Sequence, residues 1–191
     1  MIFSGIEQDN VGRIAERIVA NELEFRGFRV SDLNRDGTSA NADLLAVRDK
    51  KTFQIQVKGA SNTSKDKWFW VQFGYCNQDI IDRNGAIFNR VSSFYQADIV
   101  VLVAVRSPKE YSCVVLPVEI AEQAAQINLD RDFRILARKG HPKKPHKVWT
   151  YLDYIPKSKD TSKNTLYSEE QKILEPYRDE WEVLNDTTIV S

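Results

Sequence analysis

The chain is short of several things that would place it at once. It has two cysteines, Cys76 and Cys113, far apart and in no metal-ligand spacing. Neither a disulfide framework nor a thiolate zinc site is therefore expected, and both read as reduced, buried thiols. Its two histidines, His141 and His146, lie in one Pro/Lys-rich stretch and supply too few ligands for zinc by themselves. No apolar run reaches membrane-spanning length. The opening residues, MIFSGIEQDN, lack the basic segment followed by an apolar run that marks a secretory signal. A cytoplasmic protein with no membrane partner is expected. No surplus of charge exists either: Lys plus Arg number 27 and Asp plus Glu 27, so a globally basic nucleic-acid binder is excluded while a local basic patch is not. The sequence also has no phosphate loop ending in Gly-Lys-Ser/Thr, no Gly-x-Ser-x-Gly elbow, no internal repeat and no low-complexity segment.

What is present is an ordinary globular composition over 191 residues, enough for one domain with an appended tail. Asn10 can cap a helix starting near Val11, with Val11, Ile14, Ala15, Ile18, Val19 and Phe25 on one stripe and Leu23 at its edge. Gly27 follows as a C-terminal cap. Phe28 to Ser31 reads as a strand and Asp32 to Asn41 as a loop. Residues 59–67, GASNTSKDK, read as a loop in which Lys65 and Lys67 could touch phosphates. Trp68 to Phe73 reads as a strand. A helix over Ala86 to Tyr95 follows the Asn84-Gly85 turn. Ala97 to Val105 is the most apolar run and should be a central strand covered on both faces. Tyr111 to Leu116 pairs back on it, Pro117 ends that strand, and Val118 to Gln126 looks helical. Residues 131–147 are the most basic stretch, read as a hairpin-like excursion whose Arg138, Lys139, Lys143 and Lys144 could contact a phosphate backbone as readily as water. Val148 to Leu152 closes it as an edge strand. Residues 156–191 form a polar linker and a C-terminal helix, with Ser168 and Gln171 as a capping box and Pro176 kinking or splitting it. Its apolar face (Ile173, Leu174, Tyr177, Trp181, Leu184) should dock on the body or on a second subunit, the latter giving a homodimer.

The chemistry gathers between Asp43 and Lys58. Leu44 to Val47 is a short apolar run, Arg48-Asp49-Lys50-Lys51 a polar turn, and Thr52 to Lys58 alternates. This is a β-hairpin whose second strand puts Phe53, Ile55 and Val57 on one face and Gln54, Gln56 and Lys58 on the other. An acid at the head of one strand, and an oxygen ligand beside a lysine on the next, can converge on one point. Magnesium-dependent phosphodiester hydrolysis needs that set: oxygens for a hard cation and a lysine to orient or polarise water. Glu16, at the margin of the helical stripe, could look into a cleft beside the sheet. Glu22, nearer the stripe's centre, is a rival. Surface or strand-edge roles for these residues remain the structural alternative.

The pattern Glu16, Asp43, Gln56-Val57-Lys58 resembles the PD-(D/E)xK nuclease superfamily, in the Gln-x-Lys form of its Mrr-like and Holliday-junction-resolvase-like branches. Here Ala42 stands before Asp43, and Gln56 takes the place of the second acid. The resemblance implies a restriction-endonuclease-like α/β fold, αβββαβ with a mixed central sheet, spanning residues 1–155. It implies Mg2+, with Mn2+ as a substitute, held by Asp43, Gln56 and the main-chain carbonyl of Val57, with Glu16 completing the shell. Lys58 would position the attacking water, and DNA would be the partner. Two other readings stay open. One is a nucleic-acid-binding or interaction module with the same fold and no catalysis. The other is an unrelated α/β domain in which Asp43 and Lys58 lie too far apart to share an ion.

Overall fold

In a computed structural model, residues 8–33, 42–61, 70–75, 81–82, 85–86, 97–107, 109–138, 147–151 and 169–186 are described. The first helix, α1, runs Gln8–Phe25, so Asn10 lies inside it rather than at its cap. Val11, Ala15, Val19 and Leu23 are all buried, one row of i, i+4 neighbours. Phe25, expected on that stripe, is 89 % exposed. Two residues beyond Leu23 is about 200° around a helix, which turns Phe25 to the opposite side. Gly27 ends the helix with φ +82°. Its N–H donates to the Glu24 carbonyl (2.9 Å) and the Phe28 N–H to the Leu23 carbonyl (3.1 Å), a Schellman arrangement in which Phe28 and Leu23 join one core cluster.

The strands are β1 (Arg29–Asp32), β2 (Leu44–Arg48), β3 (Lys51–Ser61), β4 (Trp70–Tyr75), β5 (Ile81–Asp82), β6 (Gly85–Ala86), β7 (Ile99–Ser107) and β8 (Glu110–Pro117). Helix α2 (Val118–Arg138) and β9 (Lys147–Tyr151) follow. Five strands form a mixed sheet in the order β1-β2-β3-β7-β8. All neighbours are antiparallel except β3 and β7, which are parallel. The β2–β3 hairpin turns through Asp49 (φ 50°) and Lys50 (φ 65°), with Arg48 opposite Lys51. Such a two-residue turn matches the twist of its strands.

The protein is thus a mixed α/β fold with helices flanking the sheet. Ile99, Val101 and Val103 of β7 pack in the α1 layer with Phe53, Ile55 and Val57. Val100, Leu102 and Ala104 pack in the α2 layer with Ala121, Ala124 and Ala125. Burial on both faces is what a continuous apolar run such as β7 requires.

Several expectations are corrected. β3 runs on through Gly59, Ala60 and Ser61, read as loop from their small size, because β7 pairs with each of them. α2 continues to Arg138, so the first part of the expected basic excursion is helix. Nothing interrupts it, since no proline or glycine occurs before Gly140. Ala86, expected to open a helix, pairs with Ile81 in a two-stranded ladder. Residues 87–96, the rest of that helix, lie outside the described residues. β4 and β9 form a separate antiparallel ribbon. The C-terminal segment is helical over 169–174, then a 3-10 turn at Glu175–Tyr177 with Pro176 at its start, then a short helix at Val183–Asp186. Proline splits the helix, one of the two outcomes expected of it. Leu174, Trp181 and Leu184 are buried within this chain's own two core layers.

Candidate active site

The site begins where β2 runs out. Leu44 opposite Ile55 is the last β2–β3 pair, while β3 continues through residues 56–61 bonded to β7 on its other side. The N–H and C=O of one strand residue point to the same edge, and successive residues alternate. Those of Ile55 and Val57 therefore face the edge that β2 vacates. Asp43 occupies the gap. Its own N–H donates to the Ile55 carbonyl (2.9 Å), and its carbonyl accepts from Leu33 N–H (3.0 Å). Its carboxylate Oδ2 accepts from Val57 N–H at 2.7 Å and from the Gln56 side-chain amide. A carboxylate thus stands where the next strand would be, and the Val57 carbonyl points to that same edge.

Gln56 is only 5 % exposed. Its amide is satisfied by Asp43, as a buried polar group requires. Lys58, two residues on, is half-buried. Burial lowers its pKa, against the opposing pull of Asp43 and then Glu16.

Glu16 reaches this neighbourhood because α1 lies directly on β3. A Cβ added to Gly59 would stand 2.7 Å from Ala15 Cβ and 3.1 Å from the Val11 carbonyl oxygen, so only glycine allows so close a crossing. Burial raises the Glu16 pKa, followed by the charges of Asp43 and Asp32, while Lys58 and Arg13 act in the other direction. Glu22 is committed elsewhere. Its carboxylate accepts from Tyr111 Oη (2.6 Å) and pairs with Arg26 (2.5 Å). The structure thus brings Glu16, Asp43, Gln56 and Lys58 together and leaves Glu22 at another end of α1.

Outside this set, Arg138 is the last residue of α2, and Lys65, Lys67, Lys139, Lys143 and Lys144 fall outside the described residues. Sequence reading missed three groups. Asp32, assigned to a loop, ends β1 opposite Leu44, next to Asp43. Arg13 and Arg17 line a groove of about 590 Å³ with Glu16, Ala20 and Glu24 of α1, facing Val30, Asp32 and Leu44. The signal available was the three-residue step from Arg13 to Glu16 and the four-residue step from Arg13 to Arg17 on one helix. Among the described residues no three His, Cys, Asp or Glu side chains form a preformed metal cage.

No family model matches the chain, and no curated protein matches it. Among solved structures, a bacterial homing endonuclease, I-Ssp6803I, aligns at TM-score 0.47 and 16% identity, over 93% of this chain and 91% of that one. MepB aligns at TM-score 0.35 and 14% identity, over 85% and 94%. With TM-scores below 0.5, neither likeness assigns this chain a family or an activity.

Proposed function

We propose that the chain is a metal-dependent endonuclease that hydrolyses phosphodiester bonds in DNA. One observation carries this reading: the Asp43 carboxylate, clamped on the vacated edge of β3 by Val57 N–H and the Gln56 amide, shares its surroundings with Lys58 and Glu16. The donors fit a hard divalent cation. Asp43 and Glu16 each bring a carboxylate. The Val57 carbonyl faces the edge where Asp43 lies, and Gln56 can offer its amide oxygen by rotating. Mg2+ is the expected ion and Mn2+ its substitute. When bound it supplies Lewis-acid polarisation of the phosphate and a water of lowered pKa. The chain's own part is positional. Backbone bonds fix Asp43 before substrate arrives, and Lys58 orients the attacking water and opposes charge developing on the phosphate.

A second reading, a DNA-binding module without catalysis, draws on the Gln56–Asp43 hydrogen bond, which satisfies that carboxylate oxygen with no cation. Cleavage of supercoiled and branched DNA in Mg2+ separates the two. Asp43→Asn and Lys58→Ala should each lower the cleavage rate by about 10²–10⁴-fold. Asp43→Ala is the poorer variant, because it leaves Val57 N–H and the Gln56 amide unpaired at a cost of about 1–3 kcal/mol. Gln56→Glu puts a second carboxylate beside Asp43, so magnesium binding measured by calorimetry should tighten. Cleavage persists in a nuclease and is absent in a binding module. If neither protein binds a divalent ion even with DNA present, the metal site is wrong.

A further inference from the structure

We propose that Arg13 and Arg17 form the phosphate track that seats duplex DNA along α1 beside the site. The inference rests on the reading of that site as one acting on DNA. Residues 13, 16, 17, 20 and 24 recur at helical spacing and line one groove. Arg13 and Arg17 are exposed and stand one turn apart, about 6 Å along the axis. One DNA strand carries a phosphate every 3.4 Å or so of its axis, so two guanidinium groups about 6 Å apart can serve phosphates one or two steps apart on one strand. Glu16 lies between them in sequence, and Arg13 acts on it electrostatically, so the track adjoins the carboxylates without being part of them. Ala20 adds little bulk to the groove. Glu24 lies about 10 Å beyond Arg17 along the helix, and Glu16 and Asp32 share the groove, so the two arginines are its cationic points among carboxylates. A polyanion can seat its phosphates on them only with the carboxylates lying between and beside the contacts.

The experiment is equilibrium binding of a fluorescent DNA duplex to the full chain, in Ca2+ buffer over a range of NaCl concentrations. The parent, Arg13→Gln, Arg17→Gln and the double variant are compared, with Lys109→Gln as an exposed cation outside the groove. Each arginine substitution should reduce the magnitude of the slope of log K against log[salt] by about 0.9, and the double variant by about twice that. Affinity should fall several-fold and equally for unrelated duplex sequences, because phosphate contacts position the duplex without reading its bases. Lys109→Gln should leave the slope unchanged. Thermal melts confirm that each variant folds. A double variant with the parent's slope overturns the track. If the parent cleaves DNA while that happens, the nuclease reading stands alone. An arginine-dependent slope in a parent that never cleaves supports the track and removes the nuclease. A parent that binds no duplex overturns both.

Discussion

Asp43 acts as a strand substitute as well as a candidate ligand. Without its carboxylate, Val57 N–H would face the edge that β2 abandons. This dual use explains how an acid can be held in place before any cation binds. Glu16 is adjusted by its surroundings. The folded protein holds its proton more tightly than the ordinary value of 4.5, chiefly through burial. Above that pH the unfolded chain gives up the proton first, so this group's contribution to stability falls as pH rises through the raised folded value. Lys58 is lowered from 10.5, so its contribution rises with pH across the interval from its lowered value up to 10.5. Glu16→Gln should therefore melt higher than the parent at pH 7 and equal to it below pH 4.5. The gain should be no more than about 3 °C, because a half-exposed carboxylate is screened by water. Cleavage by the same variant should fall. Thermal melts at the two pH values check the sign, and a lower Tm at pH 7 would mean that Glu16 is held by favourable pairing.

Between elements, the α1–β3 crossing positions the site. Gly59→Ala drives a methyl to 2.7 Å from Ala15 Cβ and 3.1 Å from backbone, and neither neighbour is a flexible side chain. Overpacking of this kind costs about 1–3 kcal/mol, and the helix must lift, carrying Glu16 away from Lys58. Gly12, in the same helix, has nothing within 4 Å of an added Cβ. Gly12→Ala should instead stabilise by about 0.5–1 kcal/mol through helix propensity. Chemical denaturation of the pair checks this, and equal shifts of one sign would remove the crossing argument. The same two elements show what sequence can carry. The β2–β3 hairpin, α1 and β7 were legible because alternation and helical spacing are local. Asp43, Gln56 and Lys58 were legible as a group because hairpin register fixes their relation. The length of β3 was not, since small residues 59–61 look like loop until β7 is beside them. Nor was the orientation of Phe25, which depends on which row of α1 meets the sheet. Asp32 escaped because strand pairing with Leu44 sets its place, and Arg13 and Arg17 because helical spacing groups them without saying which face of α1 borders the groove.

At the scale of the whole molecule, the C-terminal segment closes the fold. Trp181 (5 % exposed) and Leu184 (1 %) are buried in the α1 layer, with the Arg26 guanidinium 4.8 Å from the Trp181 ring centre. Lys51 Nζ donates to the Asn185 carbonyl (2.9 Å) and Arg48 to the Asn185 side chain, tying the hairpin turn to the chain's far end. On the other side, Cys113 N–H donates to Asp179 Oδ1 (2.8 Å), and Asp179 N–H to the Cys113 carbonyl (2.8 Å). With the Val114–Arg178 bridge, these contacts cover the outer edge of β8, which would otherwise offer unpaired backbone. Trp181→Ala should thus cost about 3–5 kcal/mol, a large share of a domain's usual stability of roughly 5–15 kcal/mol. Cys113 reports the same event chemically. Its thiol is buried, and burial first, then Asp179, pushes it up to about 12, so in the folded protein it should resist alkylation. In a Cys76→Ser background, maleimide labelling of Cys113 should be slow in the parent and markedly faster in Trp181→Ala, as the segment lifts from β8 and exposes the sulfur. If Trp181→Ala shifts Tm by less than about 1 °C and leaves labelling unchanged, the segment is an appendage and the sheet is complete without it.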